Sequence, residues 1–449
     1  MAANKLAFVM MLDTSGSMDG CIDLVKIDAK AFVRQGRVGD QFAINQFSDN
    51  AGWVYPTGSD PRLITITEGL YETQKATGYI EALSTHNMTN MGEAIVLGNN
   101  ILERSDVTAG LRAYVILSDG RHNQGVDPVS VLGNEPPVYI AAIGYVSKSY
   151  FDRLVVKNNK SRFYNEPSAH QMMKMFNYIV ADANENELIL NTLDSYQQGS
   201  DYLIKEFTIT AGDNCSQLNV VWSNKNYRYT DGYPRGYNVN VILIDPDDNE
   251  TDIKPDIAEE GYCIYNLENM KPGVWKILIQ YSTTESITGT IGAVDFYTDI
   301  KTNLILPKSL RADEPLKVRV SALKGSDIMD DTRVTAEIST PFLSEEEIND
   351  KYATQIEAIQ SEQDSANSSE PMNTYDRLRS EIMQTEGRDI YAKKVSVHQL
   401  ALSSDGEYVL EKTEGLKSGV TNVTVRIEGV DPKTKIPFTR LKAGSIFIV

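Results

Sequence analysis

Five oxygen-bearing side chains in three separated segments carry the chemistry available to this sequence. They are Asp13, Ser15 and Ser17 in Asp13-Thr14-Ser15-Gly16-Ser17, Thr89 in Thr89-Asn90-Met91-Gly92-Glu93-Ala94, and Asp119 in Ser118-Asp119-Gly120. Alternate spacing within a loop can turn Asp13, Ser15 and Ser17 toward one point. The set offers two carboxylates and three hydroxyls, with no thiolate or imidazole. Such an all-oxygen set suits a hard divalent cation, Mg²⁺ first and Ca²⁺ or Mn²⁺ next, and disfavours Zn²⁺ or Cu²⁺. Two unpaired carboxylates converging on a loop repel each other, and a divalent ion removes that cost. Coordination positions left open by the protein go to water. A partner's carboxylate could replace one such water, so that the ion bridges two proteins.

Competing readings of the same residues fail on spacing. An aspartic-protease motif needs Asp-Thr-Gly, and here Ser15 intervenes. An EF-hand starting at Asp13 would need Gly at its sixth position and Glu at its twelfth, where the chain has Met18 and Leu24. The run Asp245-Pro246-Asp247-Asp248-Asn249-Glu250 reads as an acidic hairpin turn and not as a calcium loop. Asn87-Met88-Thr89 is a glycosylation sequon, but a glycan on Asn87 would crowd the site. Cys21 reads as a plain cysteine at a helix start.

The elements that must position these groups follow from the apolar patterning. Leu6 to Leu12 is a continuous apolar run, as a parallel strand covered on both faces requires, and Asp13 stands at its carboxyl end. Asp119 follows a second such run, Ala113 to Leu117. Ligands of open parallel sheets bind beyond the carboxyl ends of the strands, where strand order reverses. If these two strands flank that point, Asp13 and Asp119 meet across it. Thr89 opens a helix over 89–104, where its hydroxyl serves as N-cap or as ligand. A helix with Leu24, Val25, Ala29, Phe32 and Val33 on one face, strands Phe42–Phe47 and Val138–Ile143, and a helix over 169–182 with Met172, Met175, Phe176, Ile179 and Val180 on its stripe complete the pattern. Strands alternating with helices predict an α/β doubly wound parallel sheet over residues 1–185.

Past Asn184 the helical stripes fade. Residues 186–300 alternate as strands, for example Gln217–Trp222 and Asn238–Ile244, with turn chemistry between them, and predict an antiparallel β-sandwich. Residues 301–449 form a second β-rich unit around Leu316–Val320 and Val423–Ile427. A charged insertion over about 344–385 interrupts it, read as a helix capped by Ser344, a mobile loop from Ser361 to Ser369, and a second helix.

At 449 residues the chain has room for about three domains. A hydrophobic fraction of 41% with 23% charged residues belongs to a folded chain. A net charge of −19 would be repelled by phosphate backbones and anionic membranes, so nucleic acid is not an expected partner. Three cysteines are too few for a disulfide framework; a Cys215–Cys263 bridge is open, and three reduced thiols is the preferred reading. No stretch is apolar enough to span a bilayer and the N-terminus carries no secretory signal, so a cytoplasmic location is expected. An extracellular or cell-surface place stays open if the chain is a mature form or leaves by a signal-less route.

The three segments around Asp13, Thr89 and Asp119 resemble the metal-ion-dependent adhesion site of von Willebrand factor type A domains, over roughly residues 1–185 and at all five positions in order. The resemblance implies that Ser15, Ser17 and Thr89 ligate directly and that the aspartates act directly or through water. It also implies that the helix over 169–182 shifts when the site engages a ligand. The whole layout looks like the calcium-activated chloride channel regulators, in which an A domain precedes a β-sandwich and a fibronectin-like domain, and the run Pro437 to Phe447 is similar to that family's last strands. On that layout 186–300 is a jelly-roll-like sandwich and 301–449 a fibronectin- or immunoglobulin-like one. None of His86, His122, His170 and His398 belongs to an HExxH helix, so that family's zinc protease activity is not carried over.

The expected function is therefore a non-enzymatic, cation-dependent protein-binding module for adhesion or recognition, with a protein partner that supplies a carboxylate. The alternative is an intracellular assembly or regulatory subunit working with a separate ATPase. A hydrolase ranks last, because no nucleophile–base pair is visible.

Overall fold

The computed structural model describes residues 4–86, 88–104, 106–119, 122–144, 148–166, 168–210, 215–365 and 393–449. The apolar run ending at Asp13 forms β1 (Leu6–Asp13), every residue of which is buried. It lies in a seven-stranded sheet with β2 (Gln41–Phe47), β3 (Ala51–Tyr55), β4 (Ile64–Thr65), β5 (Leu111–Ser118), β6 (Val138–Ile143) and β7 (Arg162–Glu166). The order is β3-β2-β1-β5-β6-β7, with β4 also on β2. β1 pairs in parallel with β2 on one side and β5 on the other, so strand order reverses between β1 and β5. That is the crevice expected between the strands that end at Asp13 and Ser118.

Among the described residues six α-helices accompany the sheet: α1 (Ile22–Arg34), α2 (Tyr71–Glu81), α3 (Met91–Leu102), α4 (Pro128–Val131), α5 (Lys148–Val155) and α6 (Met172–Ala183). Side chains alternate across β1. Phe8, Met10 and Leu12 enter a core with Phe32 of α1 and Phe176 of α6. Ala7, Val9 and Met11 enter a separate core with Ile95 of α3 and Phe151 of α5. A strand covered on both faces can be apolar throughout. The short strands β3, β4 and β7 and the polar helix α2 were not expected, since none carries a long apolar run.

After α6 the chain is β-rich and forms three further sheets. A ten-stranded sheet takes strands from both 186–300 and 301–449. Its two halves meet where Glu187–Tyr196 touches Pro437–Ile448, through the single register pair Leu188–Leu441. A four-stranded sheet covers the first half, closing on Phe207, Trp222, Tyr265 and Ile277. A five-stranded sheet covers the second, closing on Val318, Val334, Val425 and Ile446.

The parallel-sheet unit packs onto the first half through α1 and α6. Sequence reading gave α6 one apolar stripe. Instead ten of its twelve residues are buried, because the β-sheet covers the side away from the parallel sheet. Asn177 sits on that second side over Gly292, which is flanked in register by Asn191 and Asn219. Its amide donates to Asn191 Oδ1 at 3.0 Å and accepts from Asn219 Nδ2 at 2.9 Å, and Asn219 also donates to Gln35 of the segment after α1 at 3.1 Å. A buried amide needs such partners, and here they key α6 to the sheet.

Three further expectations meet the structure here. The expected helix at 344 is present, with Ser344 in a capping box over Glu345–Lys351. The mobile loop expected from Ser361 does not begin there, since a helix runs from Ala353 to Ser365; the rest of that loop and the second helix to 385 lie outside the described residues. Cys215 and Cys263 are free: Cys215 pairs with Glu268 and Cys263 with Val220, so the thiols are far apart along adjacent strands. Among the described residues no helix is long and apolar enough to cross a membrane.

Candidate metal centre

Asp13 ends β1 and is fully buried, and its carboxylate is held from three sides. Oδ1 accepts from the Ser15 backbone N–H at 2.9 Å and from Ser15 Oγ at 2.5 Å, and Oδ2 accepts from Ser118 Oγ at 2.6 Å. Ser15 Oγ lies 3.1 Å from Ser17 Oγ, inside the 3₁₀ turn Gly16–Cys21. Alternate spacing thus does bring Asp13, Ser15 and Ser17 into one hydrogen-bonded chain. The loop is tied down by Thr14, whose N–H donates to Phe47 O at 3.0 Å and whose C=O accepts from His86 N at 2.8 Å.

Asp119 follows directly on β5 and is 7% exposed. Because Leu12 is in register with Leu117, the strand ends at Asp13 and just before Asp119 stand side by side. Burial, and then the charge of Asp119, push the Asp13 carboxyl up to about 7, against hydrogen bonds from Ser118 and Ser15 that pull it down. Two carboxylates in this relation resist being ionised together unless a cation joins them.

Of the two roles read for Thr89 at this helix start, N-cap or ligand, the structure excludes the first. The N-cap of α3 is Asn90, with its side chain accepting from Glu93 N. The Thr89 N–H donates to Asn123 Oδ1 at 2.8 Å, in the loop that follows Asp119. Thr89 is fully buried, and among the described residues its Oγ1 has no hydrogen-bond partner. Capping, one of the two roles read for that hydroxyl, is taken by its neighbour.

These residues fit a divalent ion. An oxygen at Thr89 waits without a donor or acceptor, and the donor set is all oxygen. Among the described residues no group of three or more His, Cys, Asp or Glu could hold a metal, so this mixed carboxylate–hydroxyl set is distinct from a zinc-type cluster. Ser118, Asn123 and Asn90 went unremarked as positioning residues in the sequence. Ser118 and Asn90 stand inside the motifs themselves, while Asn123 gives no signal before folding.

Two plainer features fold as read. Cys21 Sγ donates to Met18 O at 3.4 Å. Asp245 accepts the N–H groups of Asp247 and Asn249, and Lys271 and Lys276 neutralise Asp247 and Asp248, which closes a turn. Asn87 lies outside the described residues.

A family model described as von Willebrand factor type A domain matches residues 8–122. A comparison with curated proteins gives no match. Among solved structures, a von Willebrand factor type A protein from Catenulispora acidiphila aligns at 14% identity and a TM-score of 0.37, over 72% of this chain and 63% of its own. The manganese-loaded TRAP protein of Plasmodium vivax aligns at 14% identity and 0.30, over 45% of this chain and 87% of its own. The pilus adhesin SpaC of Lactobacillus rhamnosus GG, in its open conformation, aligns at 9% identity and 0.34, over 98% of this chain and 56% of its own. The chain thus spans less than two thirds of the Catenulispora and SpaC structures. At such identities and TM-scores the likenesses carry no argument about activity, ligand or partner. The match over 8–122, on a doubly wound sheet whose strand order reverses where Asp13 and Asp119 stand, identifies the N-terminal part of this chain as a von Willebrand factor type A domain.

Proposed function

We propose that this chain is a non-enzymatic, divalent-cation-dependent binding protein whose A domain grips an acidic residue of a protein partner. Asp13, Ser15, Ser17, Thr89 and Asp119 hold the ion, Mg²⁺ in the first place, and complete a metal-ion-dependent adhesion site. The observation that carries the reading is Thr89 Oγ1, buried and without a hydrogen-bond partner. Leaving a buried hydroxyl unsatisfied costs about 1–3 kcal/mol, which a bound cation offsets. The pressure of Asp119 on the Asp13 carboxyl supports the same reading.

The two β-rich units, over 186–300 and 301–449, then act as spacer and second contact surface. The layout that resembles the channel regulators belongs to this proposal without their protease chemistry. The test is capture of partners from native lysate in Mg²⁺ and in EDTA, with Asp13→Ala as control, alongside titration of the purified chain with Mg²⁺ and Mn²⁺. Ion binding lost in Asp13→Ala, with capture lost in EDTA, is the expected result. Capture that persists in EDTA overturns the proposal.

A further inference from the structure

The ten-stranded sheet opens where its halves join. Among the described residues, Glu187–Tyr196 and Pro437–Ile448 share one register pair, Leu188 with Leu441. An antiparallel ladder continued from that pair would set Ile189–Thr192 against Arg440–Pro437, and there it stops. The cause lies in Glu187–Tyr196 itself. Against its other neighbour, Ala293 faces Leu190 and Val294 faces Leu188, so Ile189 is a bulged extra residue. A bulge bends its strand and ends pairing beside it.

The divergence leaves a cleft of 620 Å³. Ile189–Thr192 line one wall, and Pro437, Thr439 and Leu441 line the other. Each of these strands is hydrogen-bonded along its far edge, to Ile287–Asp295 and to Gly419–Val430; on the near edge, among the described residues, Ile189–Thr192 and Pro437–Arg440 have no ladder, while further along Phe447–Ile448 is paired by Ser309–Leu310. Tyr178 of α6 lies at the cleft, as do Thr335 and Thr424 on the outer face of the sheet. The charged side chains on the walls are Lys174, Arg333 and Arg426 against Glu206, Glu337 and Glu428. Three of each sign make the cleft neutral in a chain of net charge −19.

We propose that this cleft binds an extended, net-neutral peptide segment of a partner protein by strand addition. A peptide backbone presents N–H and C=O groups at the repeat that an open strand edge needs, and two such edges face one another here. Neutral walls with both signs represented favour a segment without net charge. Volumes of this size are ordinary for binding clefts, which form preferentially between structural units.

The probe is a displayed library of random peptides about ten residues long, the upper length of common strands. It is selected on the intact chain in EDTA, which keeps the A-domain site out of play. Selected peptides are expected to carry little net charge and to bind equally with and without Mg²⁺. Their affinity should fall at least about tenfold against Thr335→Trp, which fills the cleft from its half-buried wall. Val397→Trp, on an exposed position at the same cleft, gives the same comparison should Thr335→Trp not fold. N-methylation of alternate peptide amides should abolish binding, because it removes main-chain donors and leaves side chains intact. An unenriched library, undiminished binding to both tryptophan variants, or binding that tolerates N-methylation overturns the proposal.

Discussion

Ser118 Oγ donates to Asp13 Oδ2 at 2.6 Å across the β1–β5 pair, from the last residue of one central strand to the last of its neighbour. With Ser15 on Oδ1, this contact fixes the plane of the Asp13 carboxylate before any ion arrives. Groups that orient a metal ligand are worth about 10–100-fold in metal affinity. Ser118→Ala should weaken Mg²⁺ binding by about that factor, and Ser118→Thr, which keeps the hydroxyl, should restore most of it. Calorimetric titration of both variants decides the matter. Unchanged affinity in Ser118→Ala would mean that Asp13 does not face the ion.

Thr89 allows the metal reading to be separated from damage to the fold. Thr89→Val keeps the shape of the side chain and removes an oxygen that has no hydrogen-bond partner. Without metal, the unfolding free energy should stay level or rise, by up to about 1–3 kcal/mol of relieved desolvation, and the melting temperature with it. With metal, the variant should lose at least about tenfold in affinity. A structural hydroxyl would give the reverse, a drop in melting temperature with no change in ion binding.

The centre was open to sequence reading because its parts sit where the pattern changes. Asp13 and Ser118-Asp119 each follow an apolar run, and a strand buried on both faces is the strongest local signal this chain has. Of the two roles read for Thr89, the cap falls to Asn90 beside it, which can cap equally well. The second covered side of α6 was not legible. Met172, Phe176 and Ile179 announce one apolar face, but Asn177 becomes buried only because Asn191 and Asn219 arrive from distant strands. The join at Leu188–Leu441 is of the same kind, a contact of residues far apart in sequence with no local signature.

Acid should oppose the metal, and the metal-free chain should feel pH through Asp13. Burial and Asp119 raise this carboxyl from 3.8 to about 7. An acid whose value is raised by folding takes up a proton as the chain folds. Its contribution to stability is therefore full below its ordinary value and is lost as pH rises through about 7. A bound divalent ion compensates the ionised form. Saturating Mg²⁺ should thus raise the melting temperature more at about pH 8 than at about pH 5. Equal shifts at both values, measured by scanning calorimetry, would place the ion elsewhere.

Gly292 and Asn177 test whether α6 is keyed to the sheet as its hydrogen bonds indicate. A Cβ on Gly292 would lie 2.2 Å from Asn177 Nδ2, so Gly292→Ala must push the amide off Asn191 and Asn219. Overpacking of this kind costs about 1–3 kcal/mol. Asn177→Ala costs a similar amount by another route, because it takes the partner from Asn191 Oδ1 and from one N–H of Asn219, at about 1–3 kcal/mol for an unsatisfied group. The two changes share one cause of loss. With Asn177 already truncated, the new methyl of Gly292→Ala meets space in place of an amide, and the double variant should be less destabilised than the sum of the singles. Chemical unfolding of the four proteins measures the difference. Additive costs would mean that the two residues do not touch, and that α6 rests on the sheet without this key.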